Sequence, residues 1–431
     1  MKNVLLIGSG GREHALAYKI SQSQSLKKLY IIPGNPGTKN LGENVSLNPD
    51  DFESIISFCK EKKIDLVVIG PEKPLVNGLA DVLRENNFIV FGPDKDAAAI
   101  EGYKTFAKYL MKKYNIPTAG YSEFTSSQIS DAEDFLRKSN YPVVIKADGL
   151  AAGKGVIICN NIDDGLDTLN EMFVEKKFGP AGEKIIIEEF LTGEEASIFA
   201  ITDGDNFICL PSSQDHKRIG DNDTGKNTGG MGAYSPAPLI TKKILESIEN
   251  EIISPVLKAL NKENRKFNGC LYCGLMINES GPKVVEFNCR FGDPETQAVL
   301  PLVEGDFLEL LYSTADGNLN KNSVHYSGGA AVCVVAASKG YPEKYEKGFE
   351  ITGLNNIDNN DVIVFHAGTK EESGKILTNG GRVLGVTSSI KSNDLKLAKE
   401  KSYKALSKIN FNGIYYRNDI SDKAFKGSRM N

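Results

Sequence analysis

The chain has 431 residues, 40% of them hydrophobic, which is enough for about two to four domains that each bury a core. Its 51 basic and 56 acidic residues give a formal net charge of −5, which argues against a dedicated nucleic-acid surface. No apolar run approaches the roughly 18 residues needed to cross a bilayer, and seven scattered cysteines are typical of reduced cytoplasmic thiols. We therefore expect a cytoplasmic protein that acts neither on nucleic acid nor in a membrane.

The first part of the chain alternates apolar strands with helices. The predicted strands are Val4–Ile7, Leu66–Ile69 and Phe88–Phe91, and the helices between them are Phe52–Lys62 and Pro74–Asn86. This alternation predicts a doubly wound parallel sheet in an N-terminal domain, residues 1–101. Ligands bind at the carboxyl ends of the strands in such sheets, and here each strand ends in a glycine- or proline-containing turn.

Two further units are predicted. Residues 102–325 carry a helix at Lys104–Lys113 and strands at Pro142–Lys146, 185–191 and 283–289, with a smaller mobile lobe at about 123–193. Residues 212–233 contain five glycines in a long polar stretch, which favours a functional loop. Residues 326–431 form a C-terminal α+β unit with strands at Ala330–Ala337 and Val362–His366 and a helix at Asn393–Lys408.

The first motif that suggests chemistry is Gly8–His14, a strand followed by glycines at the start of a helix. Bare backbone N–H groups at such a turn bind phosphate. Glu13 stands where a dinucleotide-binding fold needs its last glycine, and no acidic residue ends the second strand, Tyr30–Pro33. The motif, with Arg12, therefore favours a monophosphate, and a simple tight turn is the alternative.

A second glycine-rich motif, Lys146–Val156, contains two lysines. A lysine at a strand end and a flexible glycine loop suit a polyphosphate, although the spacing is not that of a P-loop. The apolar strand that ends at Glu188–Glu195 is a weaker signal. Its carboxylates could hold a purine amine and ribose hydroxyls, and a solvated strand end is the alternative.

The segment Val284–Asn288 predicts a metal site. Glu286 and Asn288 face the same way on a strand, and two oxygen ligands suit Mg²⁺, which keeps water and phosphate for its other positions. An arginine and two acids follow directly in Arg290–Glu295. The four histidines show no ligand spacing, and the single C-x₂-C at Cys270 lacks the second pair of a zinc site.

Taken together, these motifs resemble the ATP-grasp superfamily and, within it, the phosphoribosylamine–glycine ligase family, over nearly the whole chain. The resemblance is carried by six segments: Gly8–Ala15, Gly70–Glu72, Lys146–Val156, Gln214–Arg218, Asn227–Pro236 and Arg290–Glu295. It implies an N-terminal doubly wound parallel sheet, a central ATP-grasp domain with a smaller mobile lobe and a C-terminal α+β domain.

The family joins glycine to 5-phosphoribosylamine through glycyl phosphate, which yields glycinamide ribonucleotide, ADP and phosphate in purine biosynthesis. The resemblance implies ATP, Mg²⁺ with Mn²⁺ as an alternative, and a monomer. It implies the catalytic residues Lys146, Asp215 and Arg290, and the metal ligands Glu286 and Asn288. The implied ATP-binding residues are Lys104, Lys146, Gly153, Lys154, Gly155, Glu188, Glu189, Phe190, Leu191 and Glu195. The implied substrate-binding residues are Gly10, Gly11, Arg12, Glu13, Pro71, Glu72, Asp215, Lys217, Asn227, Gly229, Gly230, Met231, Arg290, Asp293, Pro294 and Glu295.

Three positions depart from the family pattern. Lys226 replaces a usual proline, Tyr103 replaces a usual small residue, and the strand Leu271–Ile277 lacks the carboxylate that many ATP-grasp enzymes place there. A bicarbonate-using carboxylase of the same superfamily is one alternative, and Asn227–Pro236 and Arg290–Glu295 argue against it. A nicotinamide-dependent oxidoreductase and a nucleotide-binding regulatory protein without turnover are the others.

Overall fold

The apolar run at the N-terminus forms the centre of a five-stranded parallel sheet, in the order β3-β2-β1-β4-β5. The structure is a computed structural model that describes residues 1–151, 155–358 and 360–426. The strands are β1 (Lys2–Gly8), β2 (Leu26–Pro33), β3 (Glu43–Asn44), β4 (Leu66–Ile69) and β5 (Val90–Phe91). The helices are α1 (Gly11–Ile20), α2 (Phe52–Lys62), α3 (Glu72–Val76), α4 (Leu79–Glu85) and α5 (Lys95–Gly102).

Burial on both faces explains why β1 is continuously apolar. Leu5 and Ile7 pack in one core cluster, and Val4 and Leu6 pack in another on the opposite face. The predicted parallel sheet is therefore confirmed. The helix predicted over 74–86 is instead divided into α3 and α4, because Gly78 adopts a φ of 91° that no continuous helix allows.

The next part of the chain forms a lobe with its own antiparallel sheet. Helix α6 (Lys104–Lys113) precedes the lobe and packs in the core cluster of Leu5 and Ile7. The lobe contains β6 (Tyr121–Thr125), α7 (Ile129–Lys138), β7 (Val143–Ala147), β8 (Val156–Cys159), α8 (Ile162–Leu169) and β9 (Lys184–Glu189). The strand order is β6-β9-β7-β8. A separate core cluster that includes Leu136, Ile145 and Ile187 holds the lobe together. The lobe is thus a distinct packing unit, and the position of its boundaries stays a prediction.

The following segment supplies a second antiparallel sheet, in the order β11-β10-β16-β17. Its strands and the short ones between them are β10 (Glu194–Thr202), β11 (Phe207–Cys209), β12 (Gln214–Asp215), β13 (Arg218–Gly220), β14 (Thr224–Asn227), β15 (Gly232–Ser235), β16 (Gly269–Asn278) and β17 (Gly281–Asn288). The remaining elements are α9 (Lys242–Ile248), α10 (Ser254–Lys262), α11 (Glu295–Val299), β18 (Glu304–Gly305), α12 (Phe307–Ala315) and β19 (Val324–His325). This sheet shares its core with the N-terminal sheet.

The C-terminal unit is a sheet covered by helix α13. Its elements are β20 (Ala330–Ser338), β21 (Val362–His366), β22 (Thr369–Glu372), β23 (Lys375–Thr378), β24 (Arg382–Ile390), α13 (Leu395–Leu406), β25 (Ile414–Tyr415) and α14 (Lys423–Lys426). Among the described residues, no helix is both long and apolar enough to span a membrane.

The stretch 212–233, predicted to be a functional loop, contains four short strands. β12 and β15 join the C-terminal sheet, where β15 pairs with β20, and β13 and β14 form a hairpin between them. Ala233 and Tyr234 are fully buried, so this segment extends the sheet that was predicted to begin near residue 326. Glycine-rich composition concealed the strands, because strand pairing here depends on a partner about a hundred residues away along the chain.

Candidate functional site

The N-terminal glycine turn encloses a carboxylate of its own. Gly10 N donates to Glu13 Oε2 at 2.7 Å, and a Cβ placed on Gly8 or Gly70 would lie only 2.3 Å from the Glu13 side chain. These glycines therefore leave the space that Glu13 fills. The backbone N–H of Arg12 donates to Asp293 Oδ2 at 3.2 Å. The prediction of bare N–H groups is thus corrected in part, because carboxylates already satisfy two of them.

Two arginines share one glutamate beside this turn. Arg12 Nε lies 2.6 Å from Glu13 Oε1, and Arg12 Nη1 lies 3.7 Å from Glu72 Oε2. Arg290 Nε lies 3.1 Å from the same oxygen of Glu72. Burial disfavours the Glu72 charge, but Arg290 and Arg12 outweigh burial and lower the Glu72 pKa to about 2. The predicted residues at 12, 13, 72 and 290 therefore form one continuous ion-pair network.

Glu101 completes this network, although sequence analysis missed it. Its Oε1 lies 2.7 Å from Arg290 Nη2, and its Oε2 accepts from Cys289 N at 2.8 Å. Burial raises the pKa of Glu101 despite the opposing charge of Arg290. No motif marked Glu101, which lies near the end of an otherwise ordinary helix, α5.

The two segments closest to the family pattern meet in space. A Cβ on Gly230 would lie 2.4 Å from Pro294 Cδ, so only a glycine permits this approach. Arg382 Nη1 donates to Gly229 O at 2.6 Å and to Asp293 O at 2.8 Å. Tyr341 OH accepts from Gly229 N at 2.9 Å. Arg382 and Tyr341, both from the C-terminal unit, were missed because no local pattern distinguished them.

A pair of lysines converges on Glu188 at the end of β9. Lys146 Nζ and Lys108 Nζ lie 3.0 and 3.1 Å from Glu188 Oε2. Lys146 also donates to Val285 O at 3.1 Å, which links the lobe to strand β17. Lys108 was missed by sequence analysis, although its position four residues after Lys104 placed it on the same face of α6.

Lys104 stands at the start of α6, beside the glycine-rich motif. Its Nζ donates to Gly149 O at 3.2 Å, and Asp148 Oδ1 caps the helix by accepting from Thr105 N at 2.7 Å. Burial lowers the pKa of Lys104 against the attraction of Glu286. Gly155 follows in the motif, with its carbonyl accepting from Ala147 N. The predicted ligands Gly153 and Lys154 lie outside the described residues.

Glu286 and Asn288 lie on β17, and Glu286 faces the lysines. Lys217 Nζ lies 3.9 Å from Glu286 Oε1 and 2.7 Å from Glu195 Oε2. Burial disfavours the Glu286 charge, but Lys217, Lys146 and Lys104 outweigh it and lower the Glu286 pKa. The Glu286 side chain remains 38% exposed, and Lys217 and Glu195 beside it are also partly exposed. The accessible space next to these three side chains is called the cleft below.

The cross-strand neighbour of Glu286 on β16 is Gly274, so that strand adds no carboxylate. Among the described residues, no group of three or more His, Cys, Asp or Glu side chains could hold a metal ion. The carboxylate and amide oxygens of Glu286 and Asn288 still fit a divalent cation such as Mg²⁺, which takes one or two protein ligands when phosphates supply others. The surrounding lysines suit those phosphates.

Asp215 is buried among other acids. Burial raises its pKa to about 8; Lys217 opposes this rise, and Glu295 and Glu195 add to it. Glu295 Oε1 accepts from Tyr272 OH at 2.9 Å and from Ser197 Oγ at 3.2 Å, so it is held rigidly. Tyr272 and Ser197 are further residues that sequence analysis missed, because they lie inside apolar strands.

The remaining predicted residues lie at or beside the ends of their strands and helices. Glu189 Oε1 accepts from Gly120 N at 3.0 Å, and Phe190 is 37% exposed at the end of β9, with Leu191 next to it. Pro71 precedes α3, and Asn227 ends β14. Met231 does not fit its predicted role. Its side chain is fully buried in the core of the C-terminal unit, and its backbone N–H and carbonyl are both hydrogen-bonded within the protein.

Comparison with known proteins identifies the family. Sequence profiles of phosphoribosylglycinamide synthetase match the N domain at residues 2–101, the ATP-grasp (A) domain at 102–296 and the C domain at 331–423. The chain belongs to the phosphoribosylglycinamide synthetase family. Family membership confirms the predicted ATP-grasp ligase and excludes the oxidoreductase alternative.

Relatives of the family align over almost their whole length. The phosphoribosylamine–glycine ligase of Caldanaerobacter subterraneus subsp. tengcongensis is 48% identical over 97% of this chain and 99% of its own. That of Rhodopirellula baltica is 46% identical over 98% of both chains. The crystal structure of the Thermotoga maritima phosphoribosylamine–glycine ligase superposes with a TM-score of 0.84 at 35% identity, covering 97% of this chain and 100% of that one.

The wider fold extends beyond the family. Biotin carboxylase from Campylobacter jejuni superposes with a TM-score of 0.73 at 15% identity, covering 96% of this chain and 93% of its own. This likeness concerns the fold alone and confirms the predicted combination of an N-terminal parallel sheet, an ATP-grasp unit and a C-terminal unit.

Proposed function

We propose that this chain joins glycine to 5-phosphoribosylamine at the expense of ATP, and that it thereby makes glycinamide ribonucleotide in purine biosynthesis. The observation that supports this most is the convergence of Lys104, Lys146 and Lys217 on Glu286, in a cleft next to the acids Asp215 and Glu195. Lysines suit the phosphates of ATP and of an acyl phosphate, and the acids suit an ammonium group.

The nucleotide would lie between the lobe and β17. Lys104 and Lys146 contact its phosphates, the strand end Glu188–Leu191 accepts the base, and Glu195 accepts the ribose hydroxyls. Glu286 and Asn288 would hold a divalent cation, for which we propose Mg²⁺. When bound, the cation neutralises charge on the phosphates. Gly153, Lys154 and Gly155 complete the proposed phosphate contacts.

The first step activates glycine. One oxygen of its carboxylate attacks the γ-phosphorus of ATP, the bond to the bridging oxygen breaks, and ADP leaves with glycyl phosphate formed. Lys146 and Arg290 would stabilise negative charge that spreads over the phosphoryl oxygens. Asp215, whose raised pKa favours the protonated form, would release its proton to solvent and accept the glycine ammonium.

The second step forms the amide bond. The amine of 5-phosphoribosylamine attacks the acyl carbon, the carbon–oxygen bond to phosphate breaks, and inorganic phosphate leaves as the nitrogen loses a proton. The sugar phosphate would lie at Gly10–Glu13, near Pro71 and Glu72. The segments Asn227–Gly230 and Asp293–Glu295 would close around glycine, with Lys217 beside them.

A coupled assay tests the proposal. Phosphate release should require ATP, glycine and 5-phosphoribosylamine together, and mass spectrometry should detect glycinamide ribonucleotide. Bicarbonate in place of glycine should give no product, which separates this reaction from that of a carboxylase. Nicotinamide cofactors should have no effect. Phosphate release that is independent of glycine would contradict the proposed function.

We also propose that the protein works in the cytoplasm as a monomer. The seven cysteines, which lie within the described residues, are all free, as thiols in the cytoplasm usually are. Light scattering at assay concentration measures the mass of the protein in solution directly. A dimer that loses activity when it dissociates would contradict the proposed monomer.

A further inference from the structure

Lys108 is a buried cation that the proposed mechanism does not use. Its side chain is 3% exposed, and it shares the Oε2 oxygen of Glu188 with Lys146, at 3.1 and 3.0 Å. Glu188 is itself only 4% exposed. Both lysines therefore contact the same oxygen of this buried carboxylate, and neither donates a hydrogen bond to its second oxygen, Oε1.

Lys108 is fixed from several directions. Its Nζ donates to Thr118 Oγ1 at 2.8 Å and to Ala119 O at 3.4 Å. Thr118 in turn donates to Val284 O at 2.7 Å, on the same strand as the proposed metal ligands. The position of Lys108 is therefore set by the proposed metal-binding strand as well as by the lobe.

The other oxygen of Glu188, Oε1, is buried and has no hydrogen-bond partner among the described residues. A buried acceptor without a donor is unfavourable, so it indicates a ligand that brings one. The proposed base-binding strand end begins at this residue. Adenine presents an exocyclic amine as a donor, whereas guanine presents a carbonyl oxygen at the same ring position.

We propose that Lys108 is a positioning residue that acts through Glu188 and sets the preference for adenine over guanine nucleotides. By occupying Oε2 together with Lys146, it turns Oε1 toward the amine of the base. Adenine then satisfies Oε1, and guanine would place an oxygen against a carboxylate oxygen. The inference rests on the proposed function, because it assumes that ATP binds along β9.

The burial of Lys108 supports a role beyond surface charge. Burial lowers its pKa to about 8, while Glu188 opposes that fall and Lys146 adds to it. Glu188 keeps the buried Lys108 side chain protonated, and the resulting ammonium in turn fixes the orientation of Glu188. Loss of either partner should therefore affect the same property of the enzyme.

The test compares Lys108→Met with Lys112→Met. Lys112 lies one turn further along α6, is exposed, and stands at the same 5.7 Å from the Tyr121 ring centroid as Lys108. We expect Lys108→Met to raise the KM for ATP at least about tenfold and to lower the ATP-over-GTP ratio of kcat/KM by about tenfold or more. The glycine KM of Lys108→Met should stay unchanged. Lys112→Met should match wild type in its ATP KM, its ATP-over-GTP ratio and its glycine KM.

A double-mutant cycle with Glu188→Gln separates positioning from general destabilisation. If Lys108 acts through Glu188, then Lys108→Met should change the nucleotide preference little in the Glu188→Gln background. The Lys108→Arg variant, which keeps the charge, should restore part of the preference. The shift of Tm caused by ATP and by GTP gives the same comparison without turnover.

The outcomes are distinct. If wild type and Lys112→Met fail to make product from ATP, glycine and the amine, the proposed function is wrong. If they succeed while Lys108→Met keeps the ATP KM and the ATP-over-GTP ratio, only the role of Lys108 is overturned. Equal increases in the KM of every substrate, or additive effects in the cycle, would also overturn it.

Discussion

Individual charges in the cleft are set by their neighbours more than by their residue type. Glu286 faces three lysines, which lower its pKa, whereas Asp215 is buried close to other acids, and its pKa rises to about 8. Glu286 is therefore ionised and suited to bind a cation next to phosphates. Asp215 stays protonated until a cationic ligand binds. Each state leads to a separate prediction.

We predict that Glu286→Gln lowers kcat by on the order of 10²–10³, because the variant loses the charged ligand of the proposed cation while keeping its shape. Steady-state rates over a range of Mg²⁺ concentrations measure this, and circular dichroism checks the fold. The control is Glu279→Gln, at an exposed turn beside the same pair of strands, which should leave kcat unchanged. A near-normal rate at low Mg²⁺ would remove Glu286 from the metal site.

We predict that the glycine KM of the wild type falls by up to about tenfold per pH unit as the pH rises from about 6, and that it levels off above about pH 8. The ionised Asp215 binds the ammonium, and the ionised fraction rises with pH until its pKa is passed. The folded chain holds a proton on Asp215 that the unfolded chain has already lost at these pH values. The free energy of unfolding should therefore fall as the pH rises through the same range. Glycine titrations at several pH values measure the effect.

Asp215→Asn is the control for this pH dependence. The variant should have a high glycine KM that no longer changes with pH, and an ATP KM close to that of wild type. Lys217, Glu195, Glu295 and Lys423 also act electrostatically on Asp215, but they remain in the variant. A wild-type KM that is constant with pH would show that the ammonium has another partner.

At the scale of elements, turns bring distant segments together. Gly8 and Gly70 make room for Glu13, and Gly230 allows the β14–β15 connection to approach Pro294. The Gly230 backbone has a φ of 108°, which few side-chain-bearing residues adopt. The contact between the two loops therefore depends on the absence of one Cβ.

We predict that Gly230→Ala lowers kcat/KM for glycine at least about tenfold, because the new methyl group displaces the loop from Pro294 and misplaces the substrate groups. The matched control is Gly281→Ala, whose φ is 100° and whose Cβ would have no neighbour within 4 Å. Both variants should lose about 1–3 kcal/mol of stability from the backbone strain, measured by urea unfolding. Equal kinetic losses in both would contradict the loop contact as the cause.

At the scale of the whole molecule, three units contribute to one cleft. The N-terminal turn provides Arg12, strand β17 provides Glu286, and the C-terminal unit provides Arg382, which joins Gly229 to Asp293. Asp293 also accepts from the Arg12 backbone. The C-terminal unit is therefore part of the site's framework and not only an appended domain.

We predict that Arg382→Met lowers kcat/KM for glycine and for 5-phosphoribosylamine about 10- to 100-fold, with a small change in the ATP KM, since the lost guanidinium aligned both loops. Lys375→Met is the control in the same unit, because its exposed pair with Glu350 should contribute little. Substrate titrations with each variant measure the effect. An unchanged KM and kcat in Arg382→Met would show that the loops keep their positions without it.

The sequence by itself determined the alternation of strands and helices in the N-terminal unit, the positions of its glycine turns, and the family. These features depend on apolar periodicity and on contiguous motifs, which are local properties of a chain. Glu286 and Asn288 were likewise paired correctly on one strand face, because strand residues two apart point the same way.

Only the tertiary structure decided which distant groups meet. The Arg12 backbone is hydrogen-bonded to an aspartate 281 residues away, and Arg382 contacts Gly229, which lies 153 residues earlier in the chain. Strand β15 pairs with β20, which begins only at residue 330. Lys108 and Glu101 gained partners in the same way. Periodicity records which face of an element is buried, but the partner of a buried charge is fixed only when separate elements pack against each other.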